Sequence, residues 1–464
     1  MLFNSFVFLL AFLPVTYVVF WTLRSASARY VWLALTGYVF YSYWNPWFCL
    51  LMAFSTLTSF SAGLGFLRWH SPSARRLCLV VPITVDLALL GFFKYANFAA
   101  GSVGSLAHAL GTELAVPHWN IILPIGISFY TFHTISYIVD CYRGVIKPTR
   151  NIFEFAAYVS LFSQLVAGPI VRFRQIEEDL EALGTASRGR WLARGISFFV
   201  VGIVQKVVIA DTIASFIDPA LTHYTTLSTS GAWLTMLGYS FQLYFDFCGY
   251  SDMAIGLGYM FGLRIPVNFL SPYKATDPSD FWRRWHISLS SCLRDYVYIP
   301  LGGNRLGEAR AYRNLMLTML IGGLWHGANW TFVFWGAYHG LLLAAYRRYA
   351  EAWDVLPAFI RRGSMFLAVL IGWVFFRASD FGMALHLLRV MFSPVSGADL
   401  FGAPYLVAML SAAAWWSMIG PNAQDLHENW RLTPRRALVL SASLGAALAI
   451  MAGGMQSPFL YFQF

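Results

Sequence analysis

From Leu315 to Leu343 the chain reads LMLTMLIGGLWHGANWTFVFWGAYHGLLL, without one Asp, Glu, Lys or Arg. A helix on the surface of a soluble domain keeps a charged face, whereas about 20 residues of this kind suffice to cross the roughly 30 Å hydrocarbon core of a bilayer. The run therefore reads as membrane-embedded, and His326 falls near its middle. An ionisable side chain at such depth usually faces the protein interior or a water-filled path, and counts as a functional-site candidate. The competing reading is a neutral imidazole that ties two helices together with a hydrogen bond. Gly322, Gly323 and Gly327 flank it and let another backbone or a substrate approach closely, which favours the functional reading.

The rest of the chain agrees with a membrane solvent. Of 464 residues, 58% are hydrophobic and 12% charged, about half the charge of an average soluble domain. Apolar runs separated by short polar loops suggest roughly ten to twelve crossings or re-entrant segments. They read as one integral-membrane domain over 1–464, with a catalytic core over about 120–345 and C-terminal helices over about 364–464. The opening MLFNSFVFLLAFLPVTYVVFW has no basic residue before its apolar run, so it reads as a first span rather than a signal peptide. Arg24 and Arg29 follow that run and argue for an N-terminus outside the cytoplasm. Basic stretches at Arg68–Arg76, Arg143–Arg150, Arg172–Arg194, Arg283–Arg313 and Arg431–Arg436 then read as cytoplasmic. The net charge of +10 thus reflects topology and contact with anionic headgroups, not nucleic-acid binding.

Cys49, Cys78, Cys141, Cys248 and Cys292 are scattered, with no CxxC pair and no histidine at ligand spacing, so neither a disulfide framework nor a metal site is expected. No phosphate loop, GxSxG elbow or HExxH helix occurs. A second unusual block runs from Asp280 to Arg305, where charge alternates with bulky aromatics. At helical spacing Phe281, Trp285, Ser288 and Leu289 share a face, with Arg283, Arg284 and Arg294 nearer the opposite one. Such a helix lies in the interface or plugs the mouth of a bundle, and Pro300 with Gly302 and Gly303 ends it. An interfacial anchor accounts for its arginines, but less well for His286.

Asp246 and Asp252 sit six residues apart, nearly opposite each other on one helix, so they read as separate hydrogen-bonding or tunnel-wall groups and not as a dyad. Asp211, five residues after Lys206, reads as the end of an ion-paired helix; Asp86 and Asp140 stay unassigned. His133 and His339 read as satisfied core histidines, and His70, His108, His118, His223, His386 and His427 as loop or interface residues.

These blocks resemble the bacterial branch of the membrane-bound O-acyltransferase family, closest to the membrane component of alginate and related exopolysaccharide O-acetylation systems. The resemblance covers nearly the whole chain: LPIGISFYTF (123–132), SYIVDCYRG (136–144), LVAGPIVRF (165–173), KVVIAD (206–211), YSFQLYFDFCGYSDMAIG (239–256), DFWRRWHISLS (280–290), RDYVYIPLGGNR (294–305), GGLWHGANWTFVFWGAYHG (322–340), GWVFFRA (372–378) and the terminal FLYFQF. Ser163, Cys248 and Cys292 depart from the family pattern.

The resemblance implies an all-α polytopic fold of about eleven transmembrane helices, with re-entrant and amphipathic cytoplasmic helices around a central tunnel. It also implies an O-acyltransferase, with His326 catalytic and His286 auxiliary. Its donor is a cytoplasmic thioester, acetyl-CoA, with no permanently bound cofactor. Its place is the bacterial inner membrane, with a periplasmic acetyltransferase partner and a polysaccharide acceptor such as alginate. Cellulose, peptidoglycan, teichoic acid or a lipid hydroxyl are alternative acceptors. The physical reading agrees: a buried neutral imidazole could take the acceptor's proton and return it to the departing thiolate. His286, Asn329 or a backbone N–H near Gly322 and Gly323 could stabilise the oxyanion. Trp325, Trp285, Ser288, Asp246 and Asp252 are the remaining candidates for the substrate path. A transporter or scaffold reading leaves His326 without a role.

Overall fold

A computed structural model describes residues 1–185, 189–400, 402–427, 432–454, 457, 459 and 460. Arg188, Arg431 and the FLYFQF block beyond Leu460 lie outside the described residues. The chain is helical throughout, with no strand among the described residues. Two compact units emerge, residues 1–188 with 260–265 and residues 189–259 with 266–464.

The first unit contains α1 (Leu13–Thr22), α2 (Ala26–Ser42), α3 (Phe48–Arg68), α4 (Pro72–Leu90), α5 (Ala96–Ala109), α6 (Ile127–Tyr142), α7 (Ile152–Val159) and α8 (Phe173–Glu181). Side-chain oxygens of Ser25, Ser71 and Asn151 accept the first free N–H groups of α2, α4 and α7, as N-caps do. Its aromatic core includes Phe3, Phe8, Phe40 and Phe162, all fully buried. Asp86 receives hydrogen bonds from Ser55 (2.6 Å) and Thr134 (2.7 Å), tying α4 to α3 and α6. Arg29 lies buried in α2, donates to the Leu23 carbonyl (3.0 Å), and stacks over Phe20 and Trp21. The stem and guanidinium find both apolar and carbonyl partners there, which makes burial of the charge tolerable.

The second unit contains α9 (Gly189–Ile203), a π-helical turn (Val204–Asp211), α10 (Thr212–Thr222), α11 (Thr229–Met260), α12 (Pro278–Arg284), α13 (Ile287–Leu293), α14 (Glu308–His326) and α15 (Trp330–Asp354). It continues with α16 (Ala358–Arg377), α17 (Phe381–Phe392), α18 (Pro404–Met418), α19 (Ala423–His427) and α20 (Pro434–Ala452). Two glycine pairs set the crossing of α9 on α11. A Cβ at Gly249 would lie 2.6 Å from the Gly202 carbonyl oxygen, and one at Gly256 would lie 2.6 Å from that of Gly195. Small residues at this spacing let two helix backbones touch, as helix pairs in membranes commonly do.

Five helical segments among the described residues are long and apolar enough to cross a membrane: 48–68, 72–109, 191–222, 358–377 and 434–452. Other apolar runs fold into further helices or, as at Leu315–Leu343, into two arms. There the apolar run is not one continuous helix. The helix stops at His326, Gly327 is extended, and α15 starts after Asn329, whose Oδ1 accepts the Thr331 N–H (3.1 Å). The arms fold back on each other, and a Cβ at Gly336 would lie 2.3 Å from the Met319 carbonyl oxygen. His326 thus occupies the tip of a helical hairpin.

Candidate active site

The block from Asp280 onward breaks where one helix was expected to continue. Asp277 caps α12, accepting from the Asp280 N–H (2.7 Å), and α12 ends at Arg284. His286 then adopts φ 45° and ψ 52° before α13 begins. That left-handed conformation costs a non-glycine residue about 1–2 kcal/mol. A neighbouring segment supplies the replacement bonds: the Leu270 N–H donates to the Arg284 carbonyl (3.0 Å), and the Ile287 N–H to the Asn268 carbonyl (3.0 Å).

Asn268 is the pivot of this turn. Its Oδ1 accepts from the Ser288 N–H (3.1 Å) and the Ser288 hydroxyl (2.9 Å), and lies 3.2 Å from His286 Nδ1. Its amide nitrogen donates to Ser251 (3.2 Å). A backbone N–H can only donate, so the atom facing His286 is the oxygen, and His286 Nδ1 must carry the proton. The neutral ring therefore presents Nε2 as a lone pair. That nitrogen is buried with no hydrogen-bond partner among the described residues. Orphaned buried polar atoms are rare in folded proteins and call for an explanation, an absent ligand being one.

The hairpin tip delivers His326 next to this turn. The two imidazole centroids are 6.2 Å apart. Around His326 stand Trp325 (5.0 Å), Trp335 (5.1 Å) and Phe376 (5.2 Å), centroid to centroid. His286 packs edge-on against Phe247 (4.7 Å) and near Trp325 (5.9 Å). A small cavity of about 20 Å³ opens onto His326, room for about one water molecule. Its other walls are Leu243, Asp246, Phe247, Trp285, Trp373, Phe376, Phe459 and Leu460. Of the sequence candidates, His326, Asp246 and Trp285 thus share one cavity, with His286 and Trp325 packed behind it. Ser288 is held by Asn268, Asp252 accepts from Cys248 (3.6 Å), and Asn329 caps α15 while donating to the Ser379 carbonyl (2.7 Å); none of these three lines the cavity.

The model of the family described as "MBOAT, membrane-bound O-acyltransferase family" matches residues 145–379. The chain is 41% identical to "Probable alginate O-acetylase AlgI" of Pseudomonas putida over 100% of both chains. It is 47% identical to the protein of the same name from Azotobacter vinelandii, over 85% of this chain and 78% of that one. A "Peptidoglycan O-acetyltransferase" of Helicobacter pylori is 38% identical over 84% of this chain and 80% of its own. The chain belongs to the membrane-bound O-acyltransferase family. It is a multi-pass membrane acyltransferase.

Two features of this acyltransferase escape sequence reasoning. Asn268 is one, since no motif marks it. The other is a buried ionic cluster on the cavity wall: Lys206 Nζ lies 2.6 Å from Asp211 Oδ1 and 2.6 Å from Asp246 Oδ1. The pairing of Asp211 with Lys206 is the ion pair expected at that helix end; the addition of Asp246, expected as a separate hydrogen-bonding or tunnel-wall group, is not. The cluster also holds the C-terminal segment, because the Ser457 hydroxyl donates to Asp211 (2.6 Å) and the Leu460 N–H to Asp246 Oδ2 (2.8 Å). His339 corrects another expectation. It is fully buried among Trp335, Trp282 and Phe281, yet neither ring nitrogen has a hydrogen-bond partner among the described residues.

Proposed function

We propose that this acyltransferase takes acetyl groups from acetyl-CoA at the cytoplasmic face of the bacterial inner membrane and passes them outward for O-acetylation of a polysaccharide. The observation that carries this reading is the juxtaposition of two buried imidazoles, His326 on the wall of a small aromatic cavity and His286 packed behind it. His326 accepts the proton of the acceptor hydroxyl as its oxygen attacks the thioester carbonyl. The carbon–sulfur bond then breaks, and the same proton goes to the departing thiolate. His286, held in one tautomer by Asn268, offers its Nε2 lone pair to a second donor group of the acceptor and so positions the attacking hydroxyl, whose own proton goes to His326, and the aromatic walls limit the water that would otherwise hydrolyse the thioester. The sequence similarity to proteins named for alginate O-acetylation supports an exopolysaccharide acceptor, to which a separate periplasmic transferase delivers the acetyl group in this scheme. Peptidoglycan is the second reading, supported by the Helicobacter pylori relative.

Membranes bearing the chain should release CoA from acetyl-CoA faster than membranes lacking it, and should do so far less from a long-chain acyl-CoA. Equal use of both donors would refute the acetyl assignment. The purified chain alone should transfer little label to alginate or peptidoglycan; robust polymer acetylation without a second protein would remove the partner from the scheme.

Asn268→Ala should lower kcat by about ten- to hundredfold, in keeping with the roughly 1–3 kcal/mol cost of orphaning buried polar groups. Asn268→Asp keeps an acceptor oxygen for all three donors and should retain most activity. Equal losses in the two variants, measured as kcat and KM for acetyl-CoA, would refute the orienting role of Asn268.

A further inference from the structure

His339 is a buried imidazole that acyl transfer at His326 does not use. It lies on α15 four residues after Trp335, inside the uncharged run, where an ionisable side chain is costly and by default counts as a candidate for function. Neither ring nitrogen has a hydrogen-bond partner among the described residues, and leucine would fill such a place without leaving two polar atoms unpaired. Its neighbours are rings: Trp335 at 4.8 Å and 63°, Trp282 at 5.3 Å and 83°, and Phe281 stacked at 5.9 Å and 13°. Edge-to-face packing sets the edge of one ring against the face of another, and where that edge carries an N–H the contact is a weak hydrogen bond.

Those rings belong to the two elements that carry the histidines of the site. Phe281 and Trp282 lie on α12, which ends two residues before His286. Trp335 lies on α15, one arm of the hairpin, and stands edge-on to His326 at 5.1 Å and 87°. Trp282 and Trp335 also meet each other, at 5.8 Å, so the imidazole completes a three-ring contact between α12 and the hairpin. Helix α16 packs against the same imidazole. Trp373 is 6.4 Å from His339, and a Cβ at Gly372 would lie 3.1 Å from its Nε2. At that distance a methyl group would push the imidazole, so glycine at 372 leaves it its place.

We propose that His339 is a positioning residue for acyl transfer: wedged between α12 and Trp335, it sets the 6.2 Å separation of His286 and His326. The inference rests on the reading of those two imidazoles as the reacting site, and His339 acts on them through Trp282 and Trp335, with no substrate contact of its own. A misplacement of about 1 Å between reacting groups costs on the order of hundredfold in rate, so a spacer of this kind is felt in kcat and little in binding.

CoA release from acetyl-CoA by the purified full chain, with a thermal melt of each variant, tests this. His339→Leu should lower kcat about hundredfold, with KM within a few-fold and an unchanged or raised melting temperature, because it removes two unpaired polar atoms while keeping the bulk. Gly372→Ala, which keeps the imidazole but crowds it, should lower kcat in the same way, and should cost little more once His339 is alanine, because the methyl then has room. In a His286→Ala background, where the separation no longer matters, His339→Leu should have little further effect. Wild-type kcat in His339→Leu overturns the proposal, and so do losses of kcat and melting temperature that run in parallel, or losses that add fully to that of His286→Ala; each means packing alone. The imidazole separation in a cryo-electron microscopy structure of His339→Leu tests the spacing without any turnover, and an unchanged 6.2 Å overturns it. Wild-type CoA release no faster than that of His326→Ala would sink the acyl-transfer reading instead, and that structure would still decide the spacing.

Discussion

His326→Ala is expected to lower acyl transfer from acetyl-CoA by about 100- to 10,000-fold, the range for removing a positioned general base. Loss of binding should contribute little, because the imidazole is one wall among nine residues lining the cavity and the others are mainly apolar. KM for acetyl-CoA should therefore stay within a few-fold while kcat falls, which marks an interaction made mainly in the transition state. Folding must be checked independently, since truncation at the hairpin tip leaves space beside Trp335 and Phe376. His326→Gln, closer in volume and still polar, controls for that: it should match the wild type in size-exclusion profile and melting temperature while remaining as inactive as the alanine variant. Wild-type rates in either variant, at matched expression, would make His326 a structural histidine and return the transporter or scaffold reading to the front.

How much of this was legible follows from the reach of sequence patterns. His326 stood out because a titratable group in an uncharged run is costly, and that cost is a property of composition alone. The hairpin did not stand out, because hydropathy treats 315–343 as one apolar run. The turn is marked only by Asn329, whose capping role requires that the helix already be broken there. Phe281, Trp285, Ser288 and Leu289 were expected on one buried face, and all four are buried. The helix that was to carry them is interrupted at His286, however, because Leu270 and Asn268 bond to the backbone of Arg284 and Ile287 on either side of it, from 14 and 19 residues away. Such a partner leaves no local period to read. Asp246 shows the same limit. Its depth in an apolar helix was legible, but its counter-charge sits on another helix, 40 positions earlier, and depends on a crossing set by glycines. The glycine pairs at 195 and 202 and at 249 and 256 share a seven-residue spacing, which is the one trace of that crossing in the sequence.

Lys206→Met should destabilise the protein by about 3–5 kcal/mol, the usual cost of stripping one partner from a buried ion pair. Lys206, Asp211 and Asp246 are each no more than 2% exposed, so water cannot replace the ammonium. Methionine fills the volume of the lysine stem but leaves two carboxylates facing each other without a cation. The damage should extend beyond stability, because Asp246 both lines the cavity and holds the Leu460 N–H, so release of that aspartate alters the walls around His326. A thermal melt in detergent and an acetyl-CoA turnover assay should therefore fall together. Adding Asp211→Asn and Asp246→Asn to Lys206→Met removes the charges that were left alone. Buried ion clusters replaced whole by neutral groups often cost little, so the triple variant should melt well above the single one. If it does not, the lysine acts through packing and not through charge. If Lys206→Met melts like the wild type, the cluster contributes nothing that the α9–α11 glycine contact does not already supply, and the C-terminal segment is held in place by its apolar contacts alone.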